Sequence, residues 1–227
     1  MSRNVVSSRW SAARAVASFF GVLAGVGGLV HGIGEVLQGS TKPEGIFINS
    51  WTRGPIATNM GGEPGITIIP NLLLTGLLTI LIALATMLWA AFFVSRKNGG
   101  RVLIALSLAM LLTGGGVGPP LIGVLAGTAG SRIGKPLGGW RGRLSLSARR
   151  LLAVLWPLFF AASAVSGLFL VVGSLILVFF FGVNNAAFFL NLFYVTFLSL
   201  LLTVLTAPFC DDARAGAQDV PRLAESR

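Results

Sequence analysis

Apolar residues run uninterrupted by charge along most of the chain. No Asp, Glu, Lys or Arg occurs at residues 15–34, 64–95, 102–131 or 151–210, and the last of these runs holds 60 residues. A hydrocarbon core of ~30 Å is crossed by about 20 helical residues. The pattern therefore predicts full spans over residues 15–38, from 66 or 70 to 95, 151–182 and 186–208, the last two joined near Val183, Asn184 and Asn185. The first charge-free run, 20 residues long, exceeds the roughly 7–15 residues of a secretory signal core, which predicts a retained span. Between the runs lie a loop rich in Gly, Pro and polar residues (39–65), a basic turn (96–101), a basic segment (131–150) and a polar tail (211–227).

The third apolar stretch, residues 102–130, breaks in its middle at Gly114, Gly115, Gly116, Val117, Gly118, Pro119 and Pro120. Each flank is helical in pattern but only about 18–20 Å long at ~1.5 Å per residue, too short to cross alone. Glycine suits the position just past a helix end, and proline suits the first turn of the next. A re-entrant hairpin or two short helices fits this pattern; one kinked span is the competing arrangement. Charge favours the hairpin. If the N-terminus is cytoplasmic and the stretch enters and leaves on one side, 15 of the 17 Lys and Arg residues are cytoplasmic, as the positive-inside bias requires.

Composition agrees with the pattern. Hydrophobic residues make up 54% of the chain and charged residues 11%, with mean hydropathy +0.84, whereas soluble domains carry about 25% charged residues. The expected fold is an all-α polytopic integral membrane protein of the cytoplasmic (inner) membrane, both termini inside. It has four full transmembrane helices plus the broken stretch, forming one domain over residues 1–210, followed by a tail at 211–227 expected to be disordered. The net charge of +10 is explained by topology, so no nucleic-acid partner is expected. One cysteine, Cys210, and one histidine, His31, exclude a disulfide, a Cys-rich metal site and an HExxH site. The aspartates (Asp211, Asp212, Asp219) all follow the last span, so they make no intramembrane dyad. No Gly-x-Ser-x-Gly elbow is present. No catalytic set, metal site or cofactor is expected.

Several groups of residues carry candidate chemistry. Gly21, Gly25, Gly28 and Gly32 form a stripe on one helix face, where small residues let another backbone approach. Ser163 and Gly167 repeat that spacing in the fourth span, and Asn191 and Tyr194 share a face that could hydrogen-bond between helices. The stripe on the first span leads to Glu35, with His31 one turn before it. These two, with Arg53 from the loop, could handle a proton or cation, or could simply anchor the helix end. Thr113, Gly114, Gly115, Gly116, Gly118, Pro119 and Pro120 could form a permeation or binding element, since freed backbone at broken helices binds ions and substrates in transporters; a glycine-packed turn is the alternative. Arg132, Lys135, Trp140, Arg141, Arg143, Arg149 and Arg150 suit anionic lipid headgroups on the cytoplasmic face.

Two functional classes follow. One is a non-enzymatic accessory or structural subunit, acting through helix packing and its loop on other membrane subunits or in a homo-oligomer. The other is a small transporter or channel for a solute, cation or proton, using the 113–120 break and the His31/Glu35 pair.

Overall fold

The computed structural model describes residues 11–135, 137–138 and 143–225, the last nine of these by backbone alone. Helix α1 (Ala12–Leu37) is followed by a loop containing strand β1 (Phe47–Asn49), helix α2 (Gly54–Met60) and strand β2 (Pro64–Ile66). Helix α3 (Leu72–Leu88) continues through a π-helical turn at Trp89–Phe93. Two short helices, α4 (Gly99–Leu112) and α5 (Gly118–Gly130), form a hairpin. Helix α6 (Leu146–Leu168) runs through a π segment (Phe169–Gly173) into α7 (Ser174–Phe181), and α8 covers Ala186–Glu225. The fold is all-α apart from the small antiparallel β1–β2 ribbon, which pairs Phe47 with Ile66 and Asn49 with Pro64. Among the described residues, four helices are long and apolar enough to cross a membrane: Ala12–Leu37, Leu72–Phe93, Leu146–Phe181 and Ala186–Gly216. The protein is a multi-pass, helical, membrane-type chain.

Local chemistry sets the helix starts. The side chains of Ser11, Asn71 and Ser145 accept hydrogen bonds from the amides of Arg14, Leu74 and Ala148, satisfying donors that a helix leaves open. Pro119 and Pro120 occupy the first turn of α5, where a missing N–H costs nothing.

Helix α1 is the centre of the bundle, with 61% of its apolar window buried against 17% for Leu146–Phe181. Its glycine stripe is the reason. A Cβ on Gly21 would meet Ala90 and Leu103, one on Gly25 would meet Met87 and the Ala83 carbonyl, and one on Gly28 would meet Met110 and Ala83. At Gly32 the neighbours are Ile80 and the Gly76 carbonyl. So α3 and its π turn lie directly on this face, and α4 reaches it through the Leu103 and Met110 side chains. On another face, Gly27 seats Pro119, and Ala24 and Ala17 meet Gly123 and Gly130, which brings α5 alongside.

These contacts align the ends. Gly100 packs on Gly127 and Ser131, so both outer ends of the hairpin sit beside the 94–101 turn. The hairpin's tip lies at the opposite end, where Thr113 pairs with Thr67 in an isolated bridge and the Ile68 amide donates to the Leu112 carbonyl. We call these the basic end and the loop end.

The C-terminal helices pack differently from expectation. Ser163 does meet its neighbour, through a 3.1 Å hydrogen bond to Thr203, and Gly167 faces Leu23 and Thr196. Asn191 and Tyr194, however, are exposed. The buried face of α8 carries Thr196, Leu200, Thr203 and Ala207, and at about 100° per residue Asn191 and Tyr194 fall on the other side. The helix also continues past Pro208, through residues expected to be a disordered tail. Its anchor is Asp211, whose carboxylate accepts from the amides of Ala12 (2.5 Å) and Ala13 (3.2 Å). A carboxylate at a helix N-terminus is favourable both as a cap and against the helix dipole, so the end of the last span is fastened to the start of the first.

The α1–α3 contact yields a stability test. A Cβ at Gly76 would lie 2.5 Å from the Gly32 carbonyl oxygen and 2.7 Å from the Val36 amide nitrogen, backbone atoms that cannot swing aside. Gly76→Ala is expected to destabilise the detergent-solubilised protein by roughly 1–3 kcal/mol, the usual cost of overpacking. Gly45→Ala, with nothing within 4 Å, is expected to be neutral. Thermal unfolding of both variants checks the comparison.

Candidate functional site

A polar cluster lies at the loop end, walled by α1, α3, the hairpin tip and the loop. His31 and Glu35 enter it from α1, and both are buried, Glu35 completely. The loop lays Ser50 between them. The Ser50 hydroxyl donates to Glu35 Oε1 at 2.9 Å, and its oxygen lies 3.0 Å from His31 Nδ1. A serine hydroxyl has one proton. Because that proton goes to Glu35, Ser50 accepts from His31, which places the imidazole proton on Nδ1. The unprotonated Nε2 then faces Glu63, whose Oε2 is 3.6 Å away.

The loop is stitched in place to make this contact. Gln38 Nε2 donates to the carbonyls of Asn49 and Ser50 at 3.0 and 2.9 Å, and Trp51 Nε1 donates to the Val30 carbonyl at 3.2 Å. Asn49 Oδ1 accepts from the amides of Trp51 and Glu63, while its Nδ2 donates to the Gly61 carbonyl. The Ser50 amide donates to the Glu63 carbonyl. Asn49 therefore ties the segment bearing Glu63 to the strand bearing Ser50.

The hairpin tip closes the cluster from the other side. Gly114 has φ 104° and Gly116 φ 78°, left-handed values that favour glycine. A Cβ at Gly114 would strike the Glu35 carboxylate, and one at Gly116 would strike the His31 ring. Thr79 donates to the Thr113 carbonyl, and Thr67 and Thr75 share a hydrogen bond of 3.1 Å. Polar backbone at this depth thus finds protein partners. One atom does not: Glu35 Oε2 is buried without a hydrogen-bond partner among the described residues.

The expected site residues sort into three groups. His31, Glu35, Thr113, Gly114 and Gly116 come together here, joining what the sequence presented as two separate features. Gly115, Gly118, Pro119 and Pro120 serve packing: Gly115 lies on Met110, Gly118 faces Phe193 and Pro119 sits on Gly27. Arg53 does not reach the pair. It is exposed at the N-cap of α2, because the left-handed Gly54 that follows (φ 80°) turns the chain away; Glu63 takes the place beside His31. Ser50, Glu63, Thr75 and Thr79 were not anticipated, since scattered hydroxyls and a loop glutamate have no spacing that marks them.

At the basic end, Arg132, Lys135, Arg143 and Arg150 are exposed, whereas Arg149 pairs with Asp212 at 3.7 Å. Trp140 and Arg141 lie outside the described residues. Among the described residues no group of three His, Cys, Asp or Glu side chains is arranged to hold a metal.

Glu63 has a measurable signature. Burial beside the loop pushes its carboxyl up from the ordinary 4.5 to about 7, because a charged carboxylate is poorly solvated there. The fold then binds this proton more tightly than the unfolded chain does. Its stabilising contribution is full below pH 4.5 and is lost as pH rises towards 7. Relative to Glu63→Gln, the native protein is expected to lose up to ~3 kcal/mol across that window, at about 1.4 kcal/mol per pH unit. Unfolding in detergent across pH 4–8 measures the difference, and a flat difference would count against it. No known family model, curated protein or solved structure matches the chain.

Proposed function

We propose that this is a non-enzymatic small membrane transporter or channel handling protons or small cations, with Glu35 as its binding carboxylate. The observation that carries the reading is the meeting of two features at one point: the unpartnered, fully buried oxygen of Glu35 lies against the glycine tip of the α4–α5 hairpin. A buried carboxylate without a partner is expensive. Ionisable groups at such positions, beside broken helices, mark proton and ion pathways in membrane proteins. In this reading α4–α5 is a re-entrant hairpin, and movement of its tip changes access to Glu35.

The orientation proposed is that of a cytoplasmic (inner) membrane protein with the basic end and both termini inside. Support comes from the alignment of the 94–101 turn, the end of α5 and the start of α6 at one end, which gathers their Lys and Arg on one side as the positive-inside bias favours. Arg132, Lys135, Arg143 and Arg150 would meet anionic headgroups there, each contributing about 1 kcal/mol.

A second reading, an accessory subunit for other membrane proteins, is favoured by a different observation. The loop end exposes Ile46, Phe47 and Ile68, each more than half accessible, and apolar side chains grouped at a surface suit a partner. Co-purification with a larger complex in mild detergent, combined with no flux from the purified chain, would establish that reading instead.

Two measurements test the proposal. In proteoliposomes, Glu35→Gln keeps a group that can accept from Ser50 but cannot titrate. It is expected to reduce pH-driven proton or cation flux at least tenfold, and unchanged flux removes Glu35 from the mechanism. In a Cys210→Ser background, an impermeant maleimide is expected to label Lys135→Cys from the cytoplasm only and Gly45→Cys from outside only. Labelling of both from the same side would overturn the hairpin topology.

A further inference from the structure

We infer that, with the hairpin tip closed as in this structure, Glu35 exchanges its proton with the loop side alone, along a single file formed by Glu63, His31 and Ser50. This deepens the transport reading above and rests on it only for the purpose the proton serves.

The geometry gives the file a direction. Glu63 is the member nearest water, its side chain 26% accessible against 5% for His31. Ser50 and Glu35 behind them are fully buried. Each link beyond Glu63 is a hydrogen bond of ordinary length, 3.0 Å from His31 to Ser50 and 2.9 Å from Ser50 to Glu35. The first link, at 3.6 Å, is longer than a hydrogen bond. It closes by a small approach of the Glu63 carboxyl or through one bridging water.

The transfer balances along the file. Protonated Glu63 gives its proton to His31 Nε2. His31 releases the Nδ1 proton to Ser50 Oγ, and Ser50 passes its own hydroxyl proton to Glu35 Oε1. The products are a Glu63 carboxylate, a neutral His31 protonated on Nε2, an intact Ser50 hydroxyl and a protonated Glu35. Water on the loop side reprotonates Glu63. Release runs the same steps backwards: Glu35 returns its proton to Ser50, Ser50 gives its own to His31 Nδ1, and Nε2 gives its proton to Glu63 once that is again a carboxylate, which resets the file. Its first member is protonated near neutral pH, since burial holds the Glu63 carboxyl at about 7.

Among the described residues no comparable route leaves Glu35 towards the basic end. Beneath the cluster, Met110 is fully buried and fills the space against Gly28 and Gly115, and a thioether carries no proton. The other hydroxyls around Glu35, Thr75 and Thr79 on α3 and Thr113 at the hairpin tip, bond to another threonine or donate to backbone carbonyls and lead to no titratable group among the described residues. The remaining charged loop residues, Lys42, Glu44 and Arg53, are exposed and have no ion pair with the file among the described residues.

Time-resolved infrared spectroscopy of the full chain in oriented proteoliposomes tests this directly. The carboxylic C=O band of Glu35 is assigned by its disappearance in Glu35→Gln. A pH drop on the loop side is expected to raise that band quickly, and the same drop on the basic side to raise it only as slowly as protons cross the native protein. Ser50→Ala, which removes the hydroxyl, is expected to slow the rise at least tenfold. Glu63→Gln, altered at the accessible end, is expected to do the same and decides the matter if Ser50→Ala fails to fold. A band that follows both sides equally, or an unchanged rate in a folded variant, overturns the file. Failure of the transport reading looks different: the band responds as described, but the native protein carries no flux.

Discussion

The near-contact of backbones around α1 is the constraint from which the rest of the arrangement follows. Gly21, Gly25, Gly28 and Gly32 let α3 and its π turn approach, with Leu103 and Met110 of α4 filling in, until the neighbouring atoms would collide with any Cβ. In a lipid solvent the hydrophobic effect does not draw helices together, so association depends on such close van der Waals packing and on interhelical hydrogen bonds. The approach is reciprocal: Gly76 on α3 faces the Gly32 carbonyl just as Gly32 faces the Gly76 carbonyl. With this face of α1 seated so deeply, what it carries past Gly28 is buried whether apolar or not, while Ile33 and Leu37 on the other side are exposed. His31 and Glu35 continue from that stripe, which is why they are enclosed.

Enclosure creates a second requirement. The hairpin tip leaves helical geometry at Thr113, and its backbone polar groups need partners away from water. The loop answers this with the Thr67–Thr113 bridge and the Ile68 amide, while α3 adds the Thr79 hydroxyl. The other strand of the same ribbon, β1, leads to Ser50 and brings it to His31 and Glu35. One segment therefore satisfies the broken backbone and completes the side-chain network. Glycines at 114 and 116 are needed twice over, for their left-handed backbone and for the space taken by the Glu35 carboxylate and the His31 ring.

What was legible in the sequence divides along physical lines. The spans were readable because one property, the lack of charge over about 20 residues, decides them. The broken stretch was readable as two short helices because the Gly/Pro cluster punctuates it, and the Gly21–Gly32 stripe because small residues recur on one face. His31 and Glu35 stood out as ionisable groups at the end of an apolar run. Arg53 was a misleading neighbour, close in sequence but turned outward at Gly54. Ser50 and Glu63 were invisible because their positions depend on the Asn49 and Gln38 hydrogen bonds, tertiary contacts without a local pattern. Asn191 and Tyr194 failed for a related reason. Sharing a helix face does not say which face is buried, and on α8 that is settled by Thr196, Thr203 and the fastening of Asp211 to α1.

A network of this kind is not the cheapest way to close a bundle. Replacing a buried ionic or polar set with apolar side chains of similar volume is often neutral or stabilising, and an apolar residue at position 35 would leave no orphaned oxygen. The surrounding hydrogen bonds do not remove this cost, because they stop at Oε1. Ser50, with one proton to give, is committed to Glu35, and His31 is oriented by Ser50. The arrangement therefore holds a carboxylate half satisfied, at the one place where the bundle has a non-helical element beside it. Packing alone would account for the glycines and for the threonines of α3. It does not account for an acid, an imidazole and a second acid aligned through a hydroxyl, with accessibility rising towards the loop. That alignment is the support for the proton-handling function proposed above.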